Sequence, residues 1–249
     1  SGDPLVLVHG FTQTSRCWAP FDDLLAAHHR LRLVDAPGHG ASGHANASLP
    51  EAARLVGAAG SPSGPAATYL GYSMGGRIAL RLALDSPGLV TRLVLLGASP
   101  GITDGHERAA RRAADDRLAE HLCTIGTEAF VDEWLAQPLF AGLPAEHAHR
   151  AERRRNRADA LAASLRSLGT GAQEPLWDRL PALQMPVLLV VGEHDHKFRA
   201  IAEEMAASIG GHATVSVVDD AGHSAHLEQP ERTAAIVLDW LATCGVAPR

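Results

Sequence analysis

Apolar residues follow two rhythms along this chain. Short runs without strict alternation occur at Leu5–Val8, Leu31–Val34, Thr68–Leu70, Leu93–Leu96, Val187–Val191 and Thr214–Val218. Runs of this kind predict strands covered on both faces. Between them, helical spacing covers Gly75 to Asp85, closed by Ser86-Pro87-Gly88, and Pro230 to Leu241. Strands alternating with helices predict a parallel, doubly wound sheet, an α/β fold. From about Gly101 to Leu180 the alternation stops, and an Ala-, Arg- and Glu-rich sequence with helical spacing takes over. The expectation is a core of residues 1–100 and 181–249, with residues 101–180 as a helical cap inserted over the sheet. The Gly-, Ser- and Pro-containing stretch Gly57–Ala67 reads as a surface loop, and no internal repeat is evident.

Composition narrows the picture. At 249 residues and 46% hydrophobic content, one elaborated domain can bury a large core. A net charge of -6 argues against nucleic acid as a partner, which calls for a concentrated basic excess. The 22 basic residues nevertheless include a single lysine, Lys197, the rest being arginine, and many fall between Arg108 and Arg179. Cys17, Cys123 and Cys244 show no metal-ligand spacing and no even pairing, which suits a reducing cytoplasm. No apolar run approaches a membrane span, and no basic-then-apolar leader opens the chain.

Candidate chemistry centres on Gly71-Tyr72-Ser73-Met74-Gly75. It is a G-x-S-x-G pattern set between a predicted strand and a predicted helix, the nucleophile-elbow arrangement of α/β hydrolases. Serine is inert at neutral pH unless a base takes its proton, and that base must be oriented by an acid. The later strand ends supply both in the order the fold demands: Asp195 in Gly192-Glu193-His194-Asp195, and His223 in Asp219-Asp220-Ala221-Gly222-His223. Glu193 is the substitute acid and His226 the rival histidine. Donors for a developing oxyanion are expected from the backbone N–H groups of Met74, in the elbow, and Phe11, in the loop His9-Gly10-Phe11-Thr12. His9 itself reads as structural. Arg77 lies one helical turn beyond Ser73. It either faces an anion at the helix N-terminus or turns outward to solvent or to an acid of the insertion.

Beyond these elements the chain resembles the 2-succinyl-6-hydroxy-2,4-cyclohexadiene-1-carboxylate synthase family of menaquinone biosynthesis, from about Val6 to Trp240. VHGF (Val8–Phe11) and DAPGHGASG (Asp35–Gly43) are shared by many hydrolases. More specific are GYSMGGR with its arginine, ASPG (Ala98–Gly101), ERAARR (Glu107–Arg112), EWLAQPLF (Glu133–Phe140), GEHDHKFRAIA (Gly192–Ala202) and GHSAH (Gly222–His226). The resemblance implies an α/β-hydrolase fold and the elimination of pyruvate from an enolpyruvyl cyclohexene carrying three carboxylates. It implies Ser73 as the base, supported by His223 and Asp195, with no metal and no organic cofactor. Its carboxylate-holding arginines map to Arg77, Arg111 and Arg155, with Arg153 as the alternative for the third. Trp134 and Tyr72 map to aromatic residues of the substrate site. Lys197 and Phe198 fit the family pattern without a role that follows from it. The partner is then a small polycarboxylate. An esterase or carbon-carbon hydrolase acting through an acyl-serine is the rival reading, since it uses the same triad. One departure is that the first predicted strand begins at Leu5, with no room for the strands that commonly precede it.

Overall fold

The structure is a computed structural model describing residues 4–62, 64 and 66–244. The elements of the first half are β1 (Leu5–Val8), α1 (Phe21–Ala26), β2 (Leu31–Val34), α2 (Leu49–Gly60), β3 (Ala67–Tyr72), α3 (Met74–Asp85) and β4 (Val90–Leu96). A helical stretch follows with α4 (Gly105–Leu135), α5 (Arg150–Arg153) and α6 (Ala158–Leu168). The chain then returns through β5 (Val187–Gly192), α7 (His196–Ile209), β6 (Ala213–Val218), α8 (Ala225–Glu228) and α9 (Pro230–Thr243).

The six strands form one sheet in the order β2-β1-β3-β4-β5-β6, every pair parallel. Both faces are covered, which explains why the strand runs lack alternation. In β1, Leu5 and Leu7 pack with Phe21, Leu70 and Val237 on one side, while Val6 and Val8 pack with Ile78, Leu80 and Leu189 on the other. The chain steps from β1 out to β2 and then back to β3 on the opposite flank of β1. That reversal opens a crevice at the carboxyl ends of β1 and β3. Val8 stands opposite Gly71 in the register, so the loops leaving these two strands emerge side by side.

Between β4 and β5 the described residues form helices and turns. Asp104 caps α4 by accepting from the Glu107 N–H at 2.7 Å. The helix breaks at Gly126, where φ is 77° and ψ 167°. α4 and α6 bury Ala119, Leu122, Phe130, Leu161 and Leu165 against each other. Asn156 ties this helical layer to the loops below. Its Nδ2 donates to the Thr12 carbonyl at 2.7 Å, and its Oδ1 accepts from the Gly40 N–H at 2.8 Å.

The Gly57–Ala67 expectation is corrected in part. α2 runs on to Gly60, and only the residues from Ser61 to Ala66 connect it to β3, with Ser63 and Pro65 outside the described residues. The glycines that suggested a loop are instead contact points of a helix. A Cβ on Gly57 would stand 2.8 Å from Leu82 Cδ1, and one on Gly60 would stand 2.6 Å from the Tyr69 hydroxyl.

The turn at the end of β3 depends on glycine in a different way. A Cβ on Gly75 would run into the Val8 and His9 carbonyls, which belong to backbone that cannot yield without shifting β1. Gly75→Ala is therefore expected to destabilise the fold by about 3 kcal/mol or more. Urea denaturation of the purified variant checks this, and a loss under about 1 kcal/mol would contradict it.

Candidate active site

Ser73 sits between β3 and α3 with φ at 50°, in the strained left-handed region that the elbow imposes on a non-glycine residue. Its Oγ is 3.2 Å from His223 Nε2, and His223 Nδ1 is 2.6 Å from Asp195 Oδ2. Three sheet-edge segments thus bring together the serine, the histidine and the acid named from the sequence. Asp195 and His223 are both buried. Phe198 packs its ring on the His223 imidazole at 4.5 Å between centroids. The substitute acid Glu193 is exposed and accepts from the Asp220 N–H at 3.0 Å instead. The rival His226 is fully buried among Trp18, Phe21 and Tyr72, and neither ring nitrogen has a partner. Burial drives its pKa well below the ordinary value, so it stays neutral.

Facing the elbow is the loop after β1, held by two neutral histidines. His9 Nδ1 donates to the Gly10 carbonyl at 2.8 Å, while its Nε2 accepts from the Ala36 N–H at 3.1 Å. His39 Nδ1 donates to the Pro37 carbonyl at 3.1 Å and its Nε2 accepts from the Thr12 N–H at 3.3 Å. In each case one nitrogen must carry a hydrogen and the other must not, so a second proton would break a bond. Burial lowers the pKa of His9 to about 4 and that of His39 to about 3. Gln13 closes the turn, accepting from the Gly10 N–H at 2.8 Å. The Phe11 and Met74 N–H groups have no acceptor among the described residues, and both residues line the cavity beside Ser73. These are the two donors expected for an oxyanion.

The cavity holds about 240 Å³. Ser73, His223, Phe11 and Met74 form its floor, and Trp134, Leu139 and Leu165 reach it from the helical layer. Its cationic side chains are Arg77, Arg111 and Lys197. Arg77 is buried, and its NH1 donates to Gln173 Oε1 at 2.9 Å. Burial, with Arg111 adding repulsion, lowers its pKa to about 10, which leaves it protonated at neutral pH. Arg111 is bound through Nε to Asp115 Oδ1 at 2.8 Å, with its side chain 45% exposed. Trp134 crosses the Phe11 ring edge to face at 5.1 Å.

Two expected substrate contacts are not found on this cavity. Arg155 is exposed, lies 3.4 Å from Glu152 and borders a separate depression with Thr14 and Arg16. It follows the short helix α5, and its position there turns it away from the serine. Arg153, the alternative, is buried beneath the oxyanion loop. Its Nε donates to the Ala148 carbonyl at 2.8 Å and its NH1 to Thr12 Oγ1, while NH2 has no partner. Tyr72 is not part of the cavity lining, and its ring sits 5.5 Å from the His223 imidazole. Its hydroxyl is hydrogen-bonded to Ser224 Oγ at 2.7 Å, and its ring packs with Leu7, Trp18 and Leu70. Sequence reasoning passed over Gly97, Ser99, Leu139, Leu165, Leu168 and Thr170 as cavity residues. Leu165 and Leu168 lie on α6 and Gly97 and Ser99 follow β4, while of the six only Ser99 and Leu139 fall within segments quoted above, ASPG and EWLAQPLF.

Comparisons with known proteins give the chain's family. The profile of the alpha/beta hydrolase family matches residues 5–236. A 2-succinyl-6-hydroxy-2,4-cyclohexadiene-1-carboxylate synthase of Salmonella schwarzengrund (strain CVM19633) is 38% identical over 96% of this chain and 92% of its own. The chain belongs to the 2-succinyl-6-hydroxy-2,4-cyclohexadiene-1-carboxylate synthase family of α/β hydrolases. A relative from Bacillus subtilis (strain 168) is 34% identical over 98% of this chain and 92% of its own. The solved structure of MenH from S. aureus, 31% identical, superposes with a TM-score of 0.91 and covers 97% of this chain and 94% of that one.

The two loop histidines make stability depend on acid in this synthase relative. An unfolded histidine titrates near 6.5, whereas folded His9 titrates near 4. Between those values the unfolded chain binds a proton that the folded one refuses, so stability falls as pH falls. His9 alone accounts for a loss on the order of 3 kcal/mol by pH 4. Urea midpoints measured from pH 7 to pH 4.5 should decline steadily, and a flat profile would sink the neutral-histidine assignment.

Proposed function

We propose that this chain eliminates pyruvate from 2-succinyl-5-enolpyruvyl-6-hydroxy-3-cyclohexene-1-carboxylate, giving 2-succinyl-6-hydroxy-2,4-cyclohexadiene-1-carboxylate, with Ser73 as the base. The observation that carries this reading is one cavity in which the Ser73–His223–Asp195 array and three cations stand together. A pocket for a neutral acyl chain gains nothing from buried guanidinium. A tricarboxylate requires it, because stripping water from unpartnered carboxylates is prohibitively costly.

His223, held in one tautomer by Asp195, accepts the Ser73 hydroxyl proton through Nε2. The Ser73 oxygen then takes the ring proton next to the succinyl ketone. The electron pair left on carbon moves into the ring, a new double bond forms, and the carbon–oxygen bond to the enolpyruvyl group breaks. The enolpyruvate oxygen carries that pair away, and the released enolate takes a proton on its methylene carbon as it becomes pyruvate. The ketone oxygen gains negative charge during proton removal, and the Phe11 and Met74 N–H groups are aimed where such charge develops. Arg77, Arg111 and Lys197 meet the carboxylates, Lys197 taking the place expected of Arg155. Arg153 serves from below by fixing the Thr12 hydroxyl. Three cysteines without disulfides fit a reaction carried out in the cytoplasm.

The test supplies the enolpyruvyl cyclohexene and follows pyruvate release, with p-nitrophenyl esters as the comparison. Ser73→Ala should abolish release. Arg77→Ala should lower kcat/KM by about 2 to 5 kcal/mol, roughly 30- to 5,000-fold. Rapid ester turnover without pyruvate release would favour the acyl-serine reading, and an unchanged kcat/KM in Arg77→Ala would remove that arginine from the carboxylate set.

A further inference from the structure

Arg77 differs from most of its neighbours in what holds it. Arg81 is paired with Asp85, Arg111 with Asp115, Arg154 with Asp132 and Arg179 with Asp85. Arg77 is more deeply buried than any of these, yet its hydrogen-bond partner is the neutral carboxamide of Gln173, and among the described residues no carboxylate lies within ion-pair distance of it. The nearest acid that acts on it, Asp115, is already engaged by Arg111 Nε at 2.8 Å and by the Gly171 N–H at 3.4 Å.

Gln173 is itself fixed. It is 2% exposed, and its backbone N–H donates to the Gly169 carbonyl at 3.2 Å. Its segment returns from the helical layer to the core and is stitched to the strand β4 exit. The Leu176 N–H donates to the Pro100 carbonyl at 2.8 Å, and Trp177 Nε1 donates to the Gly101 carbonyl at 3.0 Å. The side-chain Nε2 has no acceptor among the described residues, and a Cβ on Gly101 would stand 3.0 Å from it. A glutamate would fit the same volume, would have no orphaned N–H, and would give the buried guanidinium a counter-charge. Stability alone therefore favours an acid at this position, and the chain has an amide.

We propose that Gln173 is a positioning residue that aims Arg77 into the cavity by a neutral hydrogen bond and so leaves its charge uncommitted until a substrate carboxylate arrives. The inference rests on the reading of Arg77 as a carboxylate partner. Gln173 touches no reacting atom; it acts by orienting the guanidinium without neutralising it. An acid in its place satisfies Arg77 internally, and the incoming carboxylate then meets a neutral pair where a cation stood.

The experiment compares Gln173→Glu and Arg77→Ala with the parent chain in two measurements, kcat/KM for pyruvate release and thermal melting. For Gln173→Glu, the expected result is a fall in kcat/KM of tenfold or more, expressed mainly as a higher KM, at a melting temperature equal to or above that of the parent. A residue with only a structural role would lose activity and stability together, so a lowered melting temperature overturns the proposal. Unchanged kcat/KM in Gln173→Glu, with kcat/KM reduced in Arg77→Ala, overturns it while sparing the carboxylate reading of Arg77. Unchanged kcat/KM in Arg77→Ala removes both.

Discussion

The joint between β1 and β3 is the constraint on which the site depends. Parallel pairing sets Val8 opposite Gly71, and Gly75 fits beneath the Val8 carbonyl only because it lacks a Cβ. This closeness sets Phe11, from one strand end, and Met74, from the other, on the same cavity as Ser73, each with a backbone N–H that has no acceptor among the described residues. Neither donor is a side chain that could swing away. Their aim is fixed by backbone that the sheet has already ordered, so little reorganisation remains when charge develops. The Ser73 backbone strain is supported by the same contacts, since its N–H donates to the Leu96 carbonyl at 2.8 Å and its own carbonyl accepts from Arg77 at 3.1 Å.

Electrostatics are arranged in layers around that joint. Closest to the backbone are His9 and His39, kept neutral by burial so that each can donate and accept at once. Beneath them Arg153 is a cation spent on structure, bound to the loop through Thr12 and to Ala148. Above, on the cavity, Arg77, Arg111 and Lys197 bring positive charge that the protein only partly compensates, through Asp115. Arginine is suited to the buried member of this set because it resists deprotonation even when desolvated. The helical layer contributes Arg111 and the apolar Trp134, while the sheet contributes Arg77, so a bound polyanion would link the two layers.

Much of this was legible in the sequence, for reasons that differ by residue. Ser73, Asp195 and His223 are each fixed by a short motif at a strand end, and strand ends of a parallel sheet converge on one edge. Arg77 and Trp134 followed from spacing and resemblance. Arg155 stands off the cavity, and a run of adjacent arginines does not reveal which of them faces it. α5 ends at Arg153, which is buried, while Arg155 lies in the turn beyond it and is exposed. Tyr72 ends β3, and its adjacency to Ser73 does not say which side of the sheet it faces. It is next to Ser73 in sequence and packs in the layer with Trp18 and Leu70. Gln173 had no signal at all. Its role comes from a contact between residues 96 positions apart, and a lone glutamine in a turn gives no hint of one.

The charge arrangement also bears on how a serine can serve as a base. A hydroxyl yields its proton only if the resulting oxygen is stabilised, and in water that stabilisation is weak. This cavity has an apolar side formed by Phe11, Trp134, Leu139 and Leu165, and Met74 also lines it. The 3.2 Å separation between Ser73 Oγ and His223 Nε2 suits proton transfer without movement of either residue. A polyanion entering such a site would raise the cost of forming a second negative oxygen, unless its carboxylates were already matched by cations. Arg77 and Arg111 can do that matching only to the extent that their charge is not consumed by the protein itself. The base strength of Ser73 and the neutrality of the side chain holding Arg77 are then parts of one electrostatic problem.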